Sequence, residues 1–249
     1  MNYKFLFLLF FVCSSFAQDN IDKSTLVINY THSIHIEGIP SRTTINSFLL
    51  ANNSFSIYEM DFAGNDDFID EEDNGQVTFL NVRSTKNPKI YKEINSKSIY
   101  SIERIFTTPF CVKDNFNVFN WKLSNEFKNI LGYKCQKATI NYRGRDYIAY
   151  FTTKIPFNNG PWKFSGLPGV ILEIKSTDNV FIITAFKVKI NNSKTKIDNP
   201  FETEIGKAIS WDEFISKYKK KYIELLSYTD EDGGSMSIPK RKIEILIED

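Results

Sequence analysis

Strict alternation of apolar and polar residues in the second half of the chain constrains the fold most. Ala138, Ile140 and Tyr142 alternate into a turn at Arg143-Gly144-Arg145, and Tyr147, Ala149 and Phe151 alternate out of it. Val170, Leu172 and Ile174 then alternate into Ser176-Thr177-Asp178-Asn179, and Val180, Ile182, Phe186, Val188 and Ile190 alternate back. A period of two puts every second side chain on one face of a strand, so these runs predict antiparallel hairpins. In the last run Phe181, Ile183 and Ala185 also fill the other face, which predicts a strand buried on both sides at its start.

The first half repeats the pattern less cleanly. Residues 24–36 carry Leu26, Ile28, Tyr30, Ile34 and Ile36, with a break expected near His32-Ser33. Residues 43–60 read as a hairpin about Asn52-Asn53-Ser54, and residues 77–82, 89–94 and 98–106 are further strand candidates. Aromatic residues make up 15 % of the chain, which favours strands. One helix is predicted. Ser210-Trp211-Asp212-Glu213 forms a capping box, and Trp211, Phe214, Ile215, Tyr218, Tyr222 and Leu225 follow helical spacing. The expected fold is mainly β: a single antiparallel curved sheet or half-barrel, LolA-like in outline, with a C-terminal amphipathic helix.

Residues 1–17 are expected to be a signal peptide and residues 18–249 one β-rich domain. Lys4 precedes an unbroken apolar run from Phe5 to Val12, and Ser15-Phe16-Ala17 fits a cleavage site before Gln18. The run is too short for a membrane-spanning helix, and no later stretch is long and apolar enough. Removing Lys4 from the 31 Lys and Arg residues leaves 30 against 30 Asp and Glu, so no positive excess points to nucleic acid. The expected place is the cell envelope, in the periplasm or at the outer membrane, or outside the cell. Cys111 and Cys135 remain after cleavage, and an oxidising compartment permits a disulfide between them. Two unrelated buried thiols are the alternative.

Catalytic signatures are missing. His32 and His35 would point to opposite faces of a strand and share no metal. Asp70-x-Glu72-x-Asn74-Gly75 resembles the opening of a calcium loop, but Asn81 stands where the closing Glu belongs, so neither metal nor cofactor is expected. Carboxylate-only hydrolysis stays open, because 30 acidic residues can form a facing pair.

The most distinctive segment contains Gly160, Pro161, Trp162, Lys163, Phe164, Ser165, Gly166, Leu167, Pro168, Gly169, Val170 and Ile171. Its glycines and prolines make a turn that holds Leu167. Two uses are open: a structural corner seating Trp162 and Leu167 in the core, or an aromatic lip of Trp162, Phe164 and Leu167 over a ligand cavity. With Gly132-Tyr133-Lys134-Cys135-Gln136-Lys137-Ala138, Tyr142-Arg143-Gly144-Arg145 and Tyr147-Ile148-Ala149-Tyr150-Phe151-Thr152, this segment resembles the GLPGLI family of secreted proteins of Bacteroidetes-type bacteria. The one departure in the name motif is Val170 for Leu. The resemblance implies export and a shared fold, and it brings no catalytic residue. A looser similarity is to LolA-like lipid carriers, whose curved sheet and helix enclose a cavity. The expected function is non-enzymatic binding of a lipid or other apolar ligand, or of an outer-membrane or periplasmic protein. A carboxylate-dependent hydrolase or a purely structural envelope component is the alternative.

Overall fold

The computed structural model describes residues 24–35, 42–62, 87–193, 195–229, 235–240 and 243–247. The expected signal peptide, the strand at 77–82 and the weak calcium candidate Asp70, Glu72 and Asn74 lie outside the described residues.

Among the described residues, twelve strands form one sheet. In chain order they are β1 (Thr25–Ile34), β2 (Thr43–Ala51), β3 (Phe55–Asp61), β4 (Lys89–Glu93), β5 (Ser98–Ile105), β6 (Thr108–Asn115), β7 (Lys122–Ile130), β8 (Tyr133–Tyr142), β9 (Arg145–Thr152), β10 (Val170–Ser176), β11 (Phe181–Asn191) and β12 (Ile209–Ser210). Their order across the sheet is β12-β6-β5-β4-β3-β2-β1-β11-β10-β9-β8-β7. All pairings are antiparallel except the short β12–β6 contact. Two hairpin ladders, β1 to β6 and β7 to β11, therefore meet along one seam where β1 pairs with β11.

The hairpins follow from local chemistry. Arg143 and Gly144 both take positive φ, 51° and 79°, as a two-residue turn between right-twisted strands requires. Tyr142 and Arg145 face each other across that turn, and Ile140 faces Tyr147. No break occurs at His32-Ser33, because β1 runs unbroken to Ile34. The irregularity lies on the partner strand. Asn29 pairs with Lys187 and Tyr30 with Ala185, so Phe186 is an extra residue that bulges outward. The bulge shifts the parity of burial along β11. Phe181, Ile183 and Ala185 face the core before it, and Val188 is half-buried after it.

The sheet is open and curved, with an inner face. Leu26, Ile28 and Tyr30 share that face with Leu49, Tyr58 and Ile90 through the cross-strand pairs, and all are buried. The curvature is strong enough for Asp114 on β6 to meet Arg143 at the β8–β9 turn, although eight strands lie between β6 and β8 in the sheet order. The helix α1 (Trp211–Leu226) begins at Ser210, whose hydroxyl accepts a hydrogen bond from Glu213 N at 3.1 Å, as the capping box predicts. Phe214, Tyr218 and Leu225 of α1 pack with Ile105 and Val112 of the sheet. On the opposite face, Tyr91, Tyr100 and Cys111 are covered by Ile197 and Phe201.

The disulfide expected between Cys111 and Cys135 is not formed: both are free, buried thiols. Cys111 belongs to the cluster with Ile197 and Phe201, and Cys135 to the main core, with eight strands between β6 and β8. Burial pushes the Cys135 thiol up to about 11, so it stays protonated and unreactive at neutral pH.

Candidate functional site

The segment after β9 turns back into the inner face and fills it. Its backbone is pinned at both ends. Val170 N donates to Ile155 O at 3.1 Å and Ile171 N to Asn159 O at 3.0 Å. Trp162, Phe164 and Leu167 are 4 %, 0 % and 1 % exposed. The Phe164 ring lies 4.9 Å from Tyr147, 5.2 Å from Trp162, and 5.8 Å from both Phe119 and Tyr142, centroid to centroid. These are edge-on or tilted arrangements that aromatic quadrupoles favour. Trp162 holds φ at 50°, a conformation that costs a bulky residue energy and that the surrounding packing must enforce. Gly169 shows why the turn needs glycine: it has φ of 150°, and a Cβ there would sit 2.2 Å from Thr152 O. Among the motif residues Gly160, Pro161, Val170 and Ile171 are buried, while Gly166 and Pro168 are exposed.

Three cationic side chains lie at this aromatic cluster, and no local pattern predicts the burial of Lys92. Lys92 of β4 is fully buried. Its Nζ donates to Gly160 O and Phe164 O, both at 2.8 Å, and to Asn159 Oδ1 at 3.1 Å. Burial alone drives its proton affinity well below that of an ordinary lysine. Lys163, inside the motif, reaches Glu103 Oε1 at 2.8 Å and Glu244 Oε1 at 3.0 Å. Burial works against its charge, but those two carboxylates outweigh it and raise its pKa. Arg143 pairs with Asp114 and, at 2.5 Å, with Glu244, and it stacks 3.4 Å from the Trp211 ring centroid. Glu244 thus ties residues 243–247 to both cations. Glu103, Asp114 and Glu244 are each engaged by Arg143 or Lys163, an arrangement of charge compensation within the fold. The one local signal for this network is Lys163 itself, a lysine between Trp162 and Phe164 in a segment read as buried.

His32 is a second buried polar group. It is fully buried, its Nδ1 lies 3.2 Å from Tyr58 Oη, and its Nε2 has no hydrogen-bond partner. Phe181 packs edge-on at 5.0 Å. Tyr58 in turn donates to Ser47 Oγ at 2.7 Å. Desolvation lowers the imidazole pKa from 6.5 to about 3, so the folded state holds it neutral. A depressed folded pKa gives stability that is complete above 6.5 and falls as pH drops from 6.5 toward 3, because only the unfolded chain takes up the proton. Denaturant titrations should show about 2 kcal/mol lost from this group between pH 7 and pH 5. A His32→Asn variant should show less of that slope, and an unchanged slope would remove the assignment.

Known proteins place this geometry in context. Residues 142–173, which run from the end of β8 through β9 and the motif segment into β10, match a Bacteroidetes-type family described as a protein of unknown function (Porph_ging). No curated protein matches the chain in sequence. Among solved structures, PNGF-II in a C2 crystal form is similar, with a TM-score of 0.51 and 15 % identity over 80 % of this chain. PNGF-II in a P21 form gives 0.50 and 14 % over 80 %. The chain spans 32 % and 34 % of those two chains, about a third of their length, so the likeness is one of fold.

Proposed function

We infer that this is an exported envelope protein of the GLPGLI type, in the periplasm or at the outer membrane, that binds another polypeptide rather than performing catalysis. The observation that carries this reading is the division of apolar side chains. Trp162, Phe164 and Leu167 are spent on the protein's own interior, which favours the structural corner over a lip for a lipid. Exposed apolar residues lie instead at the surface, some at the end of α1 (Ile223 and Leu226) and some on β7, the last strand of the sheet and the one of these that offers an open backbone edge. Leu123 is 55 % and Phe127 48 % exposed, and Leu131 follows them. They sit opposite Ala138 and Gln136, so they continue the inner face to its rim. Among the described residues no strand pairs with the other side of β7. An edge of unpaired N–H and C=O groups flanked by apolar side chains takes up an extended segment by strand addition. Lys122, Glu126 and Lys128 on the same strand, with a register break between Leu123 and Phe127, discourage uncontrolled self-pairing.

A photo-crosslinker at Phe127 in cells of the native host should yield one adduct mapping to a single extended segment of an envelope protein. The same probe at Phe186, equally exposed but distant in the sheet, should not. Equal labelling at both positions would sink the reading. Native mass spectrometry of residues 18–249 showing an extractable apolar ligand, without an adduct at Phe127, would move the function to carriage. Leu167→Ala separates corner from contact: it should cost roughly 2–5 kcal/mol in chemical unfolding and leave the Phe127 adduct intact.

A further inference from the structure

Residues 243–247 lie across the β8–β9 turn as a bound peptide would. Arg145 Nε and Tyr147 Oη both donate to Ile243 O, at 2.9 and 2.5 Å. Arg143 O accepts from Ile245 N at 3.1 Å. Between these main-chain contacts the Glu244 side chain is buried, and its carboxylate accepts from Arg143 at 2.5 Å and from Lys163 Nζ at 3.0 and 3.3 Å. Ile245 passes over Gly144, where an added Cβ would lie 3.1 Å from the Ile245 side chain. Ile243 packs on the main core, and Leu246 is buried in the cluster that contains Phe214 and Tyr218 of α1. The site therefore engages a carbonyl, the carboxylate side chain of the next residue and the N–H of the residue after that. The matching order is apolar–Glu–apolar–apolar.

The occupant lies outside the twelve-strand ladder. Its departure strands neither cation, because Arg143 keeps Asp114 of β6 and Lys163 keeps Glu103 of β5. An uncompensated buried charge, the main obstacle to opening such a contact, does not arise in the site. We propose that this site binds an extended segment of apolar–Glu–apolar–apolar sequence from a partner protein, with residues 243–247 as a built-in competitor. The arriving carboxylate replaces Glu244 between Arg143 and Lys163, so charge pairing selects acidic segments. A second copy of this chain would offer the identical segment without the high effective concentration of the attached one. A partner that also touches other surface gains contacts that the attached segment lacks. The site is built by the β8–β9 turn and Lys163 and does not rest on the open edge of β7.

The test is fluorescence anisotropy with the full chain, using a labelled synthetic peptide of residues 238–249 as the probe. Saturable binding to the wild-type chain is expected, and the same peptide carrying Glu244→Gln should bind about tenfold more weakly. Glu244→Gln in the full chain weakens the competitor, so the unaltered peptide should bind that chain about tenfold more tightly. A photo-reactive group at Ile245 of the peptide should label residues 142–147. No saturable binding to the wild-type chain up to about 1 mM peptide overturns the proposal. Equal binding of a scrambled peptide, or labelling of β7 instead, overturns it too. So does native mass spectrometry showing the full chain as a dimer that the peptide dissociates, which would make a second copy the occupant. The wild-type titration decides on its own if Glu244→Gln fails to fold.

Discussion

Gly169→Ala should leave the chain unable to reach its native state. The new Cβ would lie 2.2 Å from Thr152 O, 2.7 Å from Thr152 C and 3.0 Å from Thr153 Cα, all backbone atoms that no rotamer change can move. The φ of 150° adds strain for any residue with a side chain. Gly169 also joins the motif turn to β10, where Val170 pairs with Thr152, so relief requires opening the β9–β10 ladder. A loss of more than about 4 kcal/mol is expected, enough to unfold a marginally stable domain. Circular dichroism melts should show no cooperative transition, or one shifted far down. A melting temperature within a few degrees of wild type would refute the argument.

Lys92→Met should be nearly as damaging, for an electrostatic reason rather than a steric one. Methionine matches the length of the stem but donates nothing, which leaves Gly160 O, Phe164 O and Asn159 Oδ1 facing an apolar group in the interior. Asn159 Oδ1 keeps Gly160 N at 2.9 Å and Phe164 O keeps Ser165 Oγ at 2.8 Å, so Gly160 O loses most. With about 1–3 kcal/mol for a buried acceptor deprived of its donor, roughly 2–4 kcal/mol is expected in all. Urea unfolding should show a lower midpoint with an unchanged slope. A midpoint matching wild type would mean that the motif segment is held by its aromatic packing alone.

Much of the fold was legible because it is written in local pattern. The hairpins about Arg143-Gly144 and Asn52–Ser54, and the helix from its Ser210 cap, stand where alternation and capping chemistry put them. What escaped has physical reasons. β7 is exposed along most of its length, so it carries no alternation to detect. The Phe186 bulge breaks the period of two without changing composition. The β1–β11 seam joins residues more than a hundred apart, and no local signal encodes such a pairing. Buried cations were missed because lysine and arginine ordinarily read as solvated surface, and only their partners in space, such as Glu244, make Lys163 and Arg143 interior residues. The evenness of the cysteine count misled for a related reason: parity carries no geometry.

The seam has a consequence for how the molecule assembles. Among the described residues, every pairing other than β1–β11 and the short β12–β6 contact joins strands consecutive in the chain, so each ladder can grow pair by pair with little entropy lost at each step. Joining Leu26 to Ile190 and its neighbours must wait until both ladders exist, and it closes a loop of about two thirds of the chain. The rate-limiting event in refolding is therefore a late encounter of two preformed halves, slow as long-range topologies are. Until it occurs, β1 and β11 are both bare edges. A kinetic trap at that stage would take the form of two chains exchanging halves, each seam built from strands of different molecules.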